Sequence, residues 1–136
     1  MKKLYFLTII IILVLVIGFL LFYSDENSLN RRFLLQYGIE VKEKPYLVEE
    51  IKIPTLFDDF YKNYNALQIE SGLNLSTYKG KSAVRYTYEI TNFPDKTIGT
   101  VFANVITVNS KPVAGDINCP ALSGFILPLS YFLSQK

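Results

Sequence analysis

The stretch from Leu4 to Tyr23 constrains this chain more than any other part of its sequence. Of its 20 residues, 16 are Leu, Ile, Val or Phe, and none is charged. A helix rises about 1.5 Å per residue, so the stretch would span roughly 30 Å, the thickness of the hydrocarbon core of a bilayer. Tyr5 and Tyr23 lie near its ends, where tyrosine rings suit the headgroup level. The stretch therefore predicts a single transmembrane helix.

The charges on either side of this helix predict its orientation. Lys2 and Lys3 precede it, whereas Asp25 and Glu26 follow it. Positive flanks stay in the cytoplasm, so the C-terminal part is expected outside the cell membrane. The alternative is a signal peptide that is cleaved, leaving a secreted protein. Signal peptides have a shorter apolar region, of about 7–15 residues, that ends in small residues. The sequence favours an uncleaved anchor that contacts the lipid bilayer through residues 4–23.

The region after the anchor has the size of one domain. We divide the chain into a cytoplasmic tip with the anchor (1–23), a connector (24–28) and an extracytoplasmic domain (29–136). Of the 14 lysines and arginines, two precede the anchor, so 12 basic residues face 12 acidic ones in the rest of the chain. This balance argues against nucleic acid as a partner.

The residue types that most often carry catalysis are scarce. The chain has no histidine, which removes the commonest general base and metal ligand. Its single cysteine, Cys119, cannot form an internal disulfide. A reactive thiol needs a neighbouring base, charge or second cysteine, so Cys119 is interpreted as a small, partly buried hydrophobic residue. We predict no catalytic, metal-binding or cofactor-binding site, no cofactor, and no enzyme.

Two helices are expected in the domain. Asn27 or Ser28 would cap a short helix that ends at Gly38. A longer helix over 56–71, capped by Thr55, carries an aromatic stripe suited to core packing. The stripe consists of Phe57, Phe60, Tyr61, Tyr64 and Leu67.

Arg31 and Arg32 on the first helix are interpreted as a solvated face. Contact with anionic lipid just above the membrane is the alternative. The apolar tail 121–133 is too short to span a bilayer and is interrupted by Pro128. It is expected to pack back on the domain, with an exposed patch for a partner or membrane as the alternative.

The strand pattern completes the predicted fold. Strands are expected at 39–41, 46–53, 82–91, 98–108 and 113–118. The first two would form a charged hairpin at a sheet edge, and the last three an antiparallel meander. The predicted class is α+β: an antiparallel sheet of about five strands with one long helix across it and a shorter N-terminal helix, preceded by the transmembrane helix. This order is similar to cystatin-like folds, with the small modules of secreted-peptidase propeptides as the alternative.

Acidic pairs in the sequence suggest two kinds of site. Glu49 and Glu50 could serve as the acid and base of a glycosidase, but neighbours in a strand point to opposite faces. Asp58 and Asp59 could ligate calcium, but the loop pattern of a calcium hand is absent. Both pairs are interpreted as structural.

Several separate blocks resemble one protein family when taken in order. They are Phe33-Leu34-x-x-Tyr37-Gly38, Pro54, Phe57-Asp58, Tyr64-Asn65-x-Leu67-Gln68, Leu75-Ser76-x-Tyr78-Lys79-Gly80-Lys81, Arg85-Tyr86-Thr87-Tyr88-Glu89-Ile90-Thr91-Asn92 and Gly115-Asp116-Ile117-x-Cys119. The family comprises short, N-terminally anchored bacterial proteins catalogued only as a domain of unknown function, mostly in Gram-positive, often spore-forming lineages. The resemblance covers roughly residues 29–125. It implies a location outside the cell membrane and brings no activity, cofactor or site.

The expected function is a non-enzymatic binding or interaction domain in the cell envelope, with an envelope protein as a candidate partner. One alternative is regulation or inhibition of an envelope protease by a cystatin-like or propeptide-like wedge. The other is a carboxylate-based hydrolase of cell-wall polymer, with Asp58, Glu89 and Asp116 as candidate acids. That activity requires two acids about 5–10 Å apart that face one cleft.

Overall fold

A computed structural model describes most of the chain. The described residues are 1–22, 25–121 and 123–135, without the side chains of residues 19–22. The predicted end of the anchor at Tyr23 and start of the connector at Ser24 lie outside the described residues, as does Leu122 of the predicted tail. Among the described residues, no helix combines the length and the apolarity needed to cross a membrane.

The chain forms an α+β fold around one antiparallel sheet, as predicted. The helices are α1 (Lys2–Phe22), α2 (Glu26–Leu35) and α3 (Asp59–Glu70), with 3-10 turns at Leu75–Tyr78 and Leu129–Gln135. The strands are β1 (Leu47–Lys52), β2 (Ser82–Glu89), β3 (Phe102–Val108), β4 (Lys111–Cys119) and β5 (Phe125–Leu127). Each strand pairs with the next, so the five-stranded sheet has the order β1-β2-β3-β4-β5.

The first predicted strand is wrong. Residues 39–41 contribute only an isolated bridge between Val41 and Ile90, and β1 pairs with β2 instead of with them. The backbone of this segment follows the end of β2, where Lys42 N–H donates to the carbonyl of Glu89. Residues 39–41 therefore lie beside β2 and do not pair with β1, so the predicted hairpin does not form.

Strand β5 is not among the predicted strands, because its residues lie within the segment interpreted as an apolar tail. Three residues between Gly124 and Pro128 form β5 and pair with the end of β4. Beyond them, Leu129 and Phe132 are buried. The prediction that the tail packs back on the domain is confirmed.

The caps of both helices differ from those predicted. Helix α3 begins at Asp59, and the carboxylate of Asp58, rather than the hydroxyl of Thr55, accepts a hydrogen bond from the Tyr61 N–H at 2.9 Å. An anionic acceptor suits the positive end of a helix. The residue before α2 is Asp25, outside the predicted Asn27 or Ser28. Gly38 follows α2 with φ of 79°, as its predicted role as a terminator requires.

Each face of the sheet packs against its own hydrophobic core. The α2 face carries Tyr88, Val105 and Ile117, which pack with Leu34 of α2 and with Leu129. Cys119 belongs to the same core and is buried more fully than the partly buried position predicted for it.

The opposite face, the α3 face, carries Ile106 and Ala114, against which Tyr61 and Tyr64 of α3 pack. Among the side chains that the structure describes, neither core contains one from α1. The domain after α1 therefore has its own hydrophobic interior.

Helix α3 also reaches the edge of β4. The side-chain carbonyl of Gln68 accepts a hydrogen bond from the Gly115 N–H at 2.9 Å. A Cβ at position 115 would lie 2.6 Å from the carbonyl oxygen of Asn104 and 2.9 Å from Cδ1 of Leu129. Glycine at this position therefore allows β4 to pack closely on both neighbours.

Candidate functional site

A row of polar side chains crosses the α3 face over four strands. Glu49 lies opposite Arg85 in the β1–β2 register, and Asn104 lies opposite both Thr87 and Asp116 in its two pairings. Residues directly opposite one another share a face of the sheet. Tertiary pairing therefore collects polar residues that are far apart in the sequence.

Asp116 is at the buried end of this polar row. It is 4% exposed, and its Oδ2 accepts a hydrogen bond from the Tyr64 hydroxyl at 2.6 Å. Its Oδ1 accepts from the Asn104 side-chain amide at 3.0 Å, and the Asn104 carbonyl oxygen accepts from the Thr87 hydroxyl at 2.7 Å. The four side chains form one continuous hydrogen-bond chain that holds the carboxylate in place.

Burial changes the acidity of both groups at this end. Desolvation raises the pKa of the Asp116 carboxyl, against the opposing effects of the hydrogen bonds from Tyr64 and Asn104 and of the Arg85 charge. Desolvation, together with the adjacent Asp116 carboxylate, raises the pKa of Tyr64 well above its ordinary value. Tyr64 therefore stays a neutral hydrogen-bond donor at physiological pH.

The other end of the polar row is open to solvent. Arg85 donates from Nε at 3.0 Å and from Nη2 at 2.5 Å to the same oxygen of Glu49. The two side chains are 43% and 37% exposed, respectively. The guanidinium keeps further N–H donors beyond those two. A ligand could approach this ion pair without first entering the core.

A cleft of about 130 Å³ lies between α3 and the row. Its wall includes Phe60, Tyr64 and Ile126 beside Arg85 and Asp116. Phe60 is 62% exposed and Ile126 51% exposed. A second hollow of about 190 Å³ continues along α3 past the same two apolar residues. The site thus combines a polar floor with an apolar rim.

The structure places the three candidate acids of the hydrolase hypothesis in different surroundings. Asp116 lies within the polar row, Asp58 caps α3, and Glu89 forms an ion pair with Lys42 at 2.7 Å. In the described parts of the chain, no group of three or more acidic or cysteine side chains could hold a metal ion.

The two members of each acidic pair also lie in different surroundings. Glu49 is bound to Arg85 on the α3 face, whereas Glu50 lines a hollow with Glu26, a residue of α2. The two glutamates therefore point to opposite faces of β1, as the alternation of side chains predicted. Asp59 pairs with Lys62 at 3.6 Å on the exposed side of α3.

Sequence reasoning missed most of the polar row. The sequence pattern places Tyr64 in the core stripe and gives no functional interpretation for Thr87, Arg85 or Asn104. The available signal is Asn104, the single amide in a strand whose other residues are apolar except for Thr107. A polar side chain on a central strand needs a hydrogen-bond partner, because burying it unpaired is unfavourable.

Residues 33–117 match a protein family described as "Domain of unknown function (DUF4830)". The chain belongs to this family. The DUF4830 region begins within α2 and ends within β4, so it includes every residue of the polar row. No curated protein matches the chain, and no solved structure does. The expected likeness to cystatin-like folds or propeptide modules stays a prediction.

Proposed function

We propose that this DUF4830 protein is a non-enzymatic binding domain, anchored to the cell membrane of a Gram-positive bacterium and facing outward. The anchor is supported by the apolar sequence from Leu4 to Tyr23 and by the lysines that precede it. Every large apolar side chain from Leu4 to Ile17 is exposed. An uninterrupted exposed apolar surface of this kind favours contact with lipid.

The cleft on the α3 face is the proposed ligand site. The observation that carries this proposal is the hydrogen-bonded polar row, which ends in the open Arg85–Glu49 ion pair beside exposed Phe60 and Ile126. A few fixed polar groups next to an apolar wall are typical of binding sites. An envelope protein that inserts an apolar side chain beside a polar or charged group would fit this chemistry.

The geometry favours binding over acid catalysis. Both oxygens of Asp116 already accept hydrogen bonds from Tyr64 and Asn104. A general acid must bring its proton within hydrogen-bond distance of the substrate. Asp116 is better suited to holding Tyr64 and Asn104 in position. The carboxylate-based hydrolase and the protease regulator remain the alternatives to a binding domain.

Crosslinking in intact cells tests the binding site. A photoreactive phenylalanine analogue at position 60 is expected to capture a defined envelope protein. The matched control carries the analogue at Leu35, which is 57% exposed on α2, away from the cleft. The same adducts from both positions, or only uncrosslinked protein from both at native abundance, would contradict the cleft as a binding site.

A separate experiment tests the topology. A C-terminal tag is expected to be cleaved by external protease in intact protoplasts and to remain with the membrane fraction otherwise. A tag that is degraded only after lysis would overturn the outward orientation. A tagged protein found in the medium would support cleavage and secretion instead.

A further inference from the structure

One end of the sheet gathers three lysines, two of which are terminal residues of strands and one of which directly precedes a strand. In an antiparallel sheet, the end of one strand lies beside the start of the next. Lys52 at the end of β1 lies opposite Ser82, whose preceding residue is Lys81. Lys111 at the start of β4 lies opposite Val108 at the end of β3. We call this end, with Lys52, Lys81 and Lys111, the lysine end.

All three lysines are exposed. The ion pairs of the described residues use Lys42, Lys62 and Arg85, so none of them neutralises the lysine end. Neighbouring strands are about 4.8 Å apart, so the three charges spread over roughly 15 Å. This spacing matches a surface that carries many separate negative charges better than it matches one small anion.

Of the acids near this end, Glu26 is held on the domain, whereas Glu50 is exposed. The Glu26 carboxylate accepts hydrogen bonds from the Ser110 hydroxyl, at 2.5 Å, and from the Tyr86 hydroxyl. Glu50 lines the open hollow that Glu26 and Lys52 also border, on the α2 face. Among the described residues, neither acid forms an ion pair with any of the three lysines, so these three side chains remain available to an anionic surface.

The chain between α1 and α2 limits how far the lysine end can lie from the membrane. Helix α1 ends at Phe22 and α2 begins at Glu26. Four Cα–Cα steps of 3.8 Å span at most about 15 Å. Since Glu26 is hydrogen-bonded to Ser110 of the β3–β4 turn, the same short connection holds the lysine end near the end of α1.

We propose that the lysine end docks on the anionic phospholipid headgroups of the membrane that holds α1. This inference rests on the proposed membrane anchor. Each lysine close to an anionic surface strengthens such contact about fivefold, and the attraction decays within about 8 Å at physiological ionic strength. In this docked orientation, the strands extend away from the membrane surface. The cleft on the α3 face then opens parallel to that surface.

The full-length protein in lipid nanodiscs provides the test. Discs of phosphatidylcholine with or without about one third phosphatidylglycerol would carry a nitroxide on some headgroups. Broadening of the Ser110 amide resonance by the nitroxide is expected in the anionic discs, and not at Thr97 in the β2–β3 connection. High salt is expected to remove most of it, because the contact is electrostatic.

A triple variant supplies the matched comparison. K52Q/K81Q/K111Q is expected to lower the docked-to-free ratio in anionic discs at least about tenfold. The control K42Q/K62Q/K96Q removes the same charge elsewhere and is expected to leave the ratio within about twofold.

Each outcome bears on a different part of the proposal. Equal broadening in neutral and anionic discs, or equal effects of the two triple variants, would overturn headgroup docking while leaving the anchor intact. A protein that fails to float with the discs at all would overturn the anchor as well. Loss of broadening in K52Q/K81Q/K111Q alone would support docking.

Discussion

The hydroxyl of Tyr64 donates a hydrogen bond to the carboxylate of Asp116 across 2.6 Å, and this contact joins α3 to β4. The two residues are 52 positions apart in the sequence. Asp116 in turn accepts from Asn104 of β3. One buried carboxylate thus fixes the helix, two central strands and one wall of the cleft relative to one another.

Replacing Tyr64 by phenylalanine should destabilise the domain. The variant leaves Oδ2 of buried Asp116 without its donor, and the expected cost in unfolding free energy is about 1–3 kcal/mol. Urea denaturation of a fragment comprising residues 25–136 would measure it. Tyr61→Phe on the same helix is the control and should change stability by less than about 0.5 kcal/mol. Equal losses from the two variants would contradict a specific role for the Tyr64 hydroxyl.

Asp116→Asn should change how stability depends on pH. The folded pKa of Asp116 is raised, so its contribution to stability is fully present below the ordinary pKa of an aspartate and is lost as pH rises through the raised value. The variant lacks this loss, so its stability relative to the unsubstituted protein should increase with pH over that window. This stability difference cannot change by more than about 1.4 kcal/mol per pH unit.

Denaturation curves of both proteins at several pH values would test the Asp116 prediction. Asp95→Asn is a useful contrast, because hydrogen bonds from Thr97 lower the pKa of Asp95. The stability of Asp95→Asn relative to the unsubstituted protein should therefore decrease with pH. The effect should be small, because Asp95 is exposed. If the stability of Asp116→Asn relative to the unsubstituted protein instead rose as pH fell, the raised pKa of Asp116 would be wrong.

Gly115→Ala should be strongly destabilising. The added methyl group would meet the backbone oxygen of Asn104 at 2.6 Å, and backbone cannot move aside as a flexible side chain can. Overpacking of this kind costs about 1–3 kcal/mol. Gly72→Ala has open space and tests only the strain of a positive φ, which is 76° there. A Gly115→Ala variant no less stable than the unsubstituted fragment by thermal unfolding would contradict the close packing of β4.

The contacts of Glu26 should hold the start of α2 on the sheet. Hydrogen bonds from Ser110 and Tyr86 lower the pKa of Glu26, so its stabilising contribution is present above the ordinary pKa of glutamate and disappears as pH falls through the lowered value. Ser110→Ala should therefore move the pKa of Glu26 back toward its ordinary value in an NMR titration. An unchanged Glu26 pKa would argue against the Ser110 contact.

Local sequence pattern was sufficient for many elements of the fold. The strict alternation of Val84, Tyr86 and Tyr88 with polar neighbours predicted β2, and Gly38 marked the end of α2. Such signals succeed because side-chain period and backbone conformation depend on neighbouring residues alone. They failed for β5 and for residues 39–41, because three-residue segments carry too little periodicity to show whether a partner strand is available.

The sequence by itself determined an apolar N-terminal segment, an α+β domain without histidine or a disulfide, and membership of the family. Only the tertiary structure decided that Tyr64, Thr87, Asn104 and Asp116 form one hydrogen-bond chain, and that three lysines share one end of the sheet. The reason is that these groupings depend on strand register and on where α3 crosses the sheet. A shift of one residue in register would turn each of these strand side chains to the other face.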